Sequence, residues 1–134
     1  MNPIKILVAD DEREFLEALG KILALRGIMM EKAYNGREAL DILGRDQFDV
    51  IVLDWRMPVM DGLTALKEIR KSDQITPVLI LSGYADLALV TEALKGGAAD
   101  YLSKPCAVES LVAAIETASE RNALAREFEA KSKR

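Results

Sequence analysis

Asp54 is the first candidate for a reactive group, because it comes directly after the four consecutive apolar residues 50–53. A short run of this kind is typical of a strand that is covered on both faces of a parallel sheet. Such sheets place their chemistry at the carboxyl ends of the strands, and the Asp61-Gly62 turn signal indicates that a loop follows Asp54. An isolated aspartate here could equally cap the strand or the next helix, so the other strand ends must decide.

Polar residues follow three other apolar runs. They are Asp10 and Asp11 after residues 4–9, Ser82 and Gly83 after residues 78–81, and Lys104 after residues 99–102 and Ser103. Three neighbouring carboxylates repel one another and can hold a hard divalent cation such as Mg²⁺. With that charge offsetting an incoming phosphoryl group, Asp54 could attack phosphorus while Lys104 and the Ser82 hydroxyl pair with phosphoryl oxygens. Gly83, which has no side chain, would leave the phosphorus accessible.

Each of these residues also fits a plainer role when it is taken alone. Asp10 and Asp11 could cap the first helix, Lys104 could be a solvated surface charge, and Ser82 could be a turn residue. All of them, however, end apolar strands on the same side of one predicted sheet. Their joint occurrence favours a single site.

The elements that must position this site alternate along the chain. Strands are predicted at residues 4–9, 28–34, 50–53, 78–81 and 99–102. Helices are predicted at residues 12–26, 37–44, 63–72, 86–95, with Asp86 as N-cap, and 108–128. This alternation predicts an α/β fold with a doubly wound, flavodoxin-like parallel sheet in the order 2-1-3-4-5. Strands one and three are then neighbours, which brings their carboxylates together.

The composition of the 134 residues excludes several classes of function. With no histidine, the chain has no Ser-His-Asp or Cys-His triad, no histidine-ligated zinc and no phosphohistidine of its own. A net charge of -4 argues against direct nucleic-acid binding, and no apolar run approaches the about 18 residues of a membrane span. Cys106 is the only cysteine, and no signal peptide is visible, so a reducing cytoplasm is expected.

The motifs across residues 4–120 resemble the receiver domain of two-component response regulators. The matching positions are Asp10-Asp11, Asp54 in LDWRMPVMDG, Ser82-Gly83, Tyr101 and Lys104-Pro105. The resemblance implies that Asp54 is the phosphoacceptor, and that Asp11, Asp54 and the Arg56 backbone carbonyl bind Mg²⁺ directly while Asp10 helps through water. It also implies that the Lys104-Pro105 bond is cis, and that Ser82 and Tyr101 act as switch residues. Trp55, Arg56 and Tyr84 would flank the site and influence how fast phosphate is lost.

By this resemblance the domain is a phosphoacceptor switch rather than an enzyme, although it would promote its own phosphorylation and slow dephosphorylation. An aspartate-nucleophile phosphatase would need a second acid two residues after its nucleophile and a cap domain. A pseudo-receiver that takes no phosphate usually lacks an acid or the lysine, and both are present here. A nucleotide-binding flavodoxin-like protein would need a phosphate loop after the first strand, where acids stand instead.

The expected partners are a sensor histidine kinase or a histidine phosphotransfer protein. The expected readout surface is formed by the fourth helix, the fifth strand and the last helix, and it could support a homodimer. There we expect Leu87, Val90 and Leu94 to face the sheet, and Leu89 with Ala85 or Ala88 to form an exposed patch. Residues 1–120 are predicted to form the receiver and residues 121–134 a helical extension or linker, either fraying or dimer-forming. A stand-alone receiver and the first part of a longer regulator both remain open.

Overall fold

The computed structural model describes residues 3–83 and 87–132. Tyr84, Ala85 and the expected Asp86 N-cap lie outside the described residues. The strands are β1 Lys5–Ala9, β2 Met29–Ala33, β3 Val50–Leu53, β4 Val78–Ser82 and β5 Asp100–Ser103. The helices are α1 Arg13–Leu25, α2 Gly36–Leu43, α3 Gly62–Ser72, α4 Leu87–Lys95 and α5 Val108–Ser132. All strand pairs are parallel, and their order β2-β1-β3-β4-β5 confirms the predicted topology.

The observed ends of the helices follow from local capping. The Asn35 side chain accepts a hydrogen bond from the Glu38 N–H, and Asp61 accepts one from Thr64, so α2 and α3 each begin one residue earlier than predicted. α1 ends at Leu25, and Gly27 follows with a φ of 76°. A positive φ is the usual way to end a helix, and glycine adopts it without strain.

Two hydrophobic cores lie on opposite faces of the sheet. Alternate strand residues face each core, which is why the central strands β1, β3 and β4 are almost entirely apolar, whereas the edge strands β2 and β5 also carry polar residues. One core joins the sheet to α1 and α5 and is centred on Leu16, Val52 and Ile115. The other joins it to α2, α3 and α4 and includes Leu53 and Leu66. Burying a leucine of this kind contributes roughly 2 kcal/mol, so these layers fix the positions of the strand ends.

The predicted orientation of α4 was wrong. Leu87 is 82% exposed and Leu94 is 49% exposed, whereas Leu89 is half-buried and packs against the core that contains α2, α3 and α4. Ala93, which the prediction did not use, is the fully buried residue of this helix. The error arose because six of the nine residues of α4 are apolar, so that their spacing does not define one face.

The last helix runs unbroken to Ser132. Five of its residues have the heptad-like spacing of a possible dimer seam, and four of these five contact other parts of the same domain. Those residues are Leu111, Ile115, Ala118 and Asn122, and all are buried, while Ala125 is exposed. Asn122 donates a hydrogen bond to the Asp49 carbonyl at 3.0 Å. The seam is therefore used within the chain up to Asn122. None of the helices among residues 3–83 and 87–132 has the length and apolar character needed to cross a membrane.

Candidate functional site

The backbone ladder between β1 and β3 places Asp10 and Asp54 side by side. Ala9 and Leu53 are register partners, and the Asp54 N–H donates to the Ala9 carbonyl at 2.9 Å. The Asp10 N–H in turn donates to the Ala33 carbonyl of β2 at 3.0 Å. Both aspartates thus continue the sheet by one residue, which confirms that the two carboxylates meet where these strands end.

Ser82 and Lys104 reach the same edge from β4 and β5. Ser82 and Ser103 are register partners, and the Lys104 N–H donates to the Ser82 carbonyl at 3.0 Å. The Lys104-Pro105 peptide bond is cis, as the resemblance implied. Lys104 therefore approaches the aspartates from the far side of β4.

The Asp54 carboxyl group is only 5% exposed and has several polar partners. Its Oδ1 accepts from the Trp55 N–H at 2.8 Å, and the Ser82 hydroxyl also hydrogen bonds to it. Burial, with the charge of Asp10, raises the pKa of Asp54 to about 6, although Lys104, Ser82 and the Trp55 N–H counteract the rise. At pH 7 the group is mostly ionised, so it is a carboxylate held in an environment that disfavours its charge.

Lys104 is the cation that compensates these acids. Its Nζ donates to Asp10 Oδ2, lies 3.2 Å from Glu12 Oε1 and stands 3.8 Å from Asp54 Oδ2. Burial alone would lower the pKa of Lys104, but the carboxylates of Asp10, Asp54 and Glu12 outweigh it and raise that pKa above its usual value. The lysine is consequently charged throughout the physiological range.

Three carboxylates form the donor set that could hold a metal ion among the described residues. Oxygens of Asp10, Glu12 and Asp54 all lie within 4.8 Å of one another. Hard, negatively charged oxygens in this number suit Mg²⁺. Asp11, expected to bind the metal directly, is exposed and does not belong to this group. The structure brings Glu12 into the cluster instead, a residue that the sequence reasoning missed although it directly follows the two aspartates.

The turn from β3 into α3 packs so closely that the first residue of α3 must be glycine. A Cβ atom on Gly62 would lie 2.2 Å from the Asp54 carbonyl oxygen, and the Gly62 N–H donates to the Trp55 carbonyl at 2.9 Å. Within the same loop Val59 has a φ of 69°, which is strained for a β-branched residue. The backbone around Asp54 is thus tightly packed at Gly62 and strained at Val59.

The remaining predicted residues occupy different surroundings. Tyr101 is half-buried, pairs in register with Ile80 and packs against the core that contains α2, α3 and α4. Trp55 is buried in that same core, and Arg56 is exposed. Tyr84 lies outside the described residues.

A cavity of about 650 Å³ leads from the carboxylates along the groove between α1 and α5. Asp54, Glu12, Gly83 and Lys104 line its polar end. Its apolar wall consists of residues of α1, α5 and the segment between β5 and α5, including Phe15, Leu19, Ile22, Cys106, Val108 and Leu111. Apart from its chain neighbours, no atom of residues 3–83 and 87–132 lies within 4 Å of a Cβ built on Gly83, so these residues leave the space beside Ser82 open, as expected from the sequence.

Comparison with known proteins agrees with this geometry. The family model of the response regulator receiver domain matches residues 6–116. The response regulator MprA of Mycolicibacterium vanbaalenii is 40% identical over 111 residues, which are 83% of this chain and 48% of MprA. The regulatory protein AtoC of Escherichia coli is 37% identical over 124 residues, 92% of this chain and 27% of AtoC. The receiver domain of Francisella response regulator 1452 superposes with a TM-score of 0.83 at 37% identity, covering 88% of this chain and 98% of that structure.

This chain therefore belongs to the response regulator receiver domain family and functions in two-component signal transduction. It spans about half the length of MprA and about a quarter of AtoC.

Proposed function

We propose that this receiver domain accepts a phosphoryl group on Asp54 from a phosphohistidine of a sensor kinase or phosphotransfer protein. The supporting observation is a buried carboxylate with a pKa of about 6 that lines an open cavity 3.8 Å from a lysine ammonium. An Asp54 oxygen forms a bond to phosphorus while the bond between phosphorus and the donor's imidazole nitrogen breaks. The product is an aspartyl phosphate, and the imidazole leaves with its electron pair.

The chain's own residues orient this transfer. The Trp55 N–H and the Ser82 hydroxyl fix the carboxyl group of Asp54, and Lys104 offers its ammonium to a phosphoryl oxygen. The open space beside Gly83 leaves room for the phosphoryl group. Such a scheme makes the domain a switch that carries phosphate transiently, and it requires no turnover of an external substrate.

We further propose that Mg²⁺ is the cofactor, held by Asp54 and Asp10 with Asp11 and the Arg56 backbone carbonyl. The clustered carboxylate oxygens fit a hard divalent cation. When bound, Mg²⁺ offsets the negative charge that the donor, phosphoryl group and acids bring together. Asp11, exposed and one residue after Asp10, would have to turn its side chain towards the cluster in order to bind.

The readout that we propose passes from Ser82 to Tyr101 and then to the face formed by α4, β5 and α5. If Ser82 moves toward a phosphoryl group, Tyr101 can turn into the space beside β4, which it already borders. The exposed residues Leu87 and Leu94 then become the apolar part of a partner or homodimer surface. We place this activity in the cytoplasm, where the Cys106 thiol would stay reduced.

Labelling of the acceptor tests the proposal directly. A small phosphodonor or a partner kinase should label the wild type in a Mg²⁺-dependent, base-labile way, and Asp54→Asn should abolish the label. Asp41→Asn is the matched control, because Asp41 is an exposed acid on α2 outside the cluster. Stoichiometric label on Asp54→Asn would show that another residue is the acceptor and would refute the assignment. No label on the wild type would refute it in favour of a pseudo-receiver.

Binding of Mg²⁺ can be measured by calorimetry and by the fluorescence of Trp55, the only tryptophan. Both Asp11→Ala and Asp54→Ala should weaken binding, whereas Asp41→Ala should not. If Asp11→Ala binds Mg²⁺ as the wild type does, Asp11 is not a ligand of this site.

Sedimentation with and without beryllofluoride, a phosphoryl mimic, tests the dimer. Leu87→Asp should prevent a beryllofluoride-induced dimer, and Leu25→Asp, an equally exposed leucine on α1, should not. A protein that stays monomeric, or one that dimerises with aspartate at position 87, contradicts the proposed surface.

A further inference from the structure

The first turn of α1 carries an acidic side chain that its own helix does not use. Glu12 occupies the N-cap position of α1, where a short polar side chain normally accepts a hydrogen bond from the following turn. The Glu12 side chain makes no such bond. Its backbone N–H is instead held by Asp10 Oδ1 at 2.9 Å, which fixes the residue beside the site.

The freed carboxylate points to the lysine of the site. Glu12 Oε1 lies 3.2 Å from Lys104 Nζ, on an ammonium that Asp10 Oδ2 also holds. The two partners differ in exposure, since the side chain of Glu12 is 63% exposed and that of Asp10 is 3% exposed. Lys104 is therefore shared between a buried carboxylate inside the site and a solvated one at its mouth.

A second residue of the same helical turn completes this arrangement. Phe15 lies in the first turn of α1, three residues after the N-cap Glu12. The Lys104 ammonium stands 4.5 Å from the centroid of the Phe15 ring, within the range of a cation–π contact. The carboxylate and the ring together restrict where the ammonium can go.

We infer that Glu12 is a positioning residue, which with the Phe15 ring holds the Lys104 ammonium at the mouth of the site. Asp10 and Glu12 both belong to the group of carboxylates that could share a cation, but the Asp10 side chain is buried beside Asp54 whereas that of Glu12 is 63% exposed at the mouth. A cation bound between Asp10 and Asp54 would repel the lysine from Asp10. Glu12 then keeps the ammonium near Asp54, where a phosphoryl oxygen would arrive. The consequence for labelling rests on the proposed function, but the location of the ammonium does not.

The decisive measurement is the exchange of the Lys104 ammonium protons with water, followed by ¹⁵N NMR in metal-free protein and assigned through the loss of the signal in Lys104→Arg. We expect Glu12→Gln to speed this exchange by about threefold, the size typical of removing one exposed ion pair. Glu14→Gln, which removes an acid from the same turn, should leave the rate unchanged. Equal rates in wild type and Glu12→Gln, or equal acceleration in both variants, would overturn the inference.

A second measurement asks whether Glu12 acts through the lysine. At saturating Mg²⁺, Glu12→Gln should slow labelling of Asp54 by a small phosphodonor by roughly two- to fivefold. The same change in a Lys104→Ala background should have no further effect, because the residue it positions is gone. An equal effect in both backgrounds would mean that Glu12 acts directly on donor or cation, which overturns the inference. If wild type takes no label at all, the proposed function fails, while the proton-exchange result still decides the role of Glu12.

Discussion

Polar residues are used in opposite ways at the two ends of the parallel strands. We call the side where the strands end the carboxyl edge of the sheet, and the side where they begin the amino edge. At the carboxyl edge, three carboxylate side chains and one lysine crowd together, and burial holds the pKa of Asp54 at about 6. At the amino edge, buried Thr76 and Asn122 are fully paired with arginine and backbone groups. The carboxyl edge, where burial disfavours a charged side chain, is the edge that can react. The amino edge, where the buried polar groups are hydrogen bonded, supports the fold.

The amino edge is held together by two arginines. Arg70 donates to the carbonyls of Asp73, Thr76 and Gly97, which ties the loop before β4 to the turn after α4. Arg126 donates to Thr76 Oγ1 at 2.8 Å and to Asn122 Oδ1 at 3.0 Å, which ties α5 to the same loop. Since β4 begins next to these contacts and ends at Ser82, one end is anchored while the other carries the proposed switch residue.

The largest effect is expected where the carboxyl edge is packed most tightly. Gly62→Ala would place a Cβ atom 2.2 Å from the Asp54 carbonyl oxygen, so the backbone must shift. We expect roughly 3 kcal/mol less free energy of unfolding and a displaced acceptor, measured by urea denaturation and labelling. Gly83→Ala is the control, because no atom that the structure describes, its chain neighbours aside, lies within 4 Å of its Cβ, and it should leave stability nearly unchanged. Similar losses in both variants would contradict the packing argument.

Removing the buried charge of Asp54 should raise the free energy of unfolding, whereas Gly62→Ala should lower it. The folded-state pKa of Asp54, about 6, exceeds the ordinary aspartate value of 3.8, so the folded protein binds more protons between these values and loses stability as pH rises through them. Asp54→Asn removes that cost and should raise the free energy of unfolding by about 2 kcal/mol at pH 8 in metal-free buffer. The gain should shrink as pH falls below 6. A variant that is less stable than wild type at pH 8 would show that the carboxylate is not disfavoured.

A substitution at the amino edge should lower the stability of the fold without affecting phosphorylation of Asp54. Asn122→Leu removes the side-chain donor to the Asp49 carbonyl and one of two acceptors of the Arg126 guanidinium, which keeps Thr76 Oγ1, and it should cost about 2 kcal/mol of unfolding free energy. Labelling of Asp54 should persist, since no site residue contacts this network. Ala123→Leu adds the same side chain at an exposed position of α5 and serves as the control. An Asn122 variant that loses labelling while it remains folded would break the distinction between the two edges.

The sequence predicted the sheet order because strands alternate with helices along the chain and the central strands are short apolar runs that end at a polar residue or turn. It predicted the meeting of Asp10, Asp54, Ser82 and Lys104 for the same reason, since strand order alone brings their backbones to one edge. The direction in which each side chain points is harder to predict from the sequence. Whether Asp11 or Glu12 turns toward the lysine depends on the backbone of one loop, and periodicity carries no information about it.

Helices α4 and α5 show the same limit in another form. α4 has apolar residues around most of its circumference, so that spacing could not choose between Leu89 and its neighbours as the inward side chain. In α5, Asn122 reads as a defect in a heptad seam, but it is buried because a backbone carbonyl of the same chain accepts its hydrogen bond. Contacts between residues far apart in sequence decided both cases.

The smallest expected effect concerns strain at the carboxyl edge. Val59 has a φ of 69° and is 81% exposed, so the side chain gains little from burial while its branched Cβ opposes the backbone conformation. Val59→Asn should raise the free energy of unfolding by about 1 kcal/mol, because asparagine tolerates this conformation. Val59→Thr keeps the branch and adds polarity, so it separates relief of strain from a change of surface character. Equal stability of the asparagine and threonine variants would mean that the loop bears no strain there. The carboxyl edge would then owe its instability to buried charge alone.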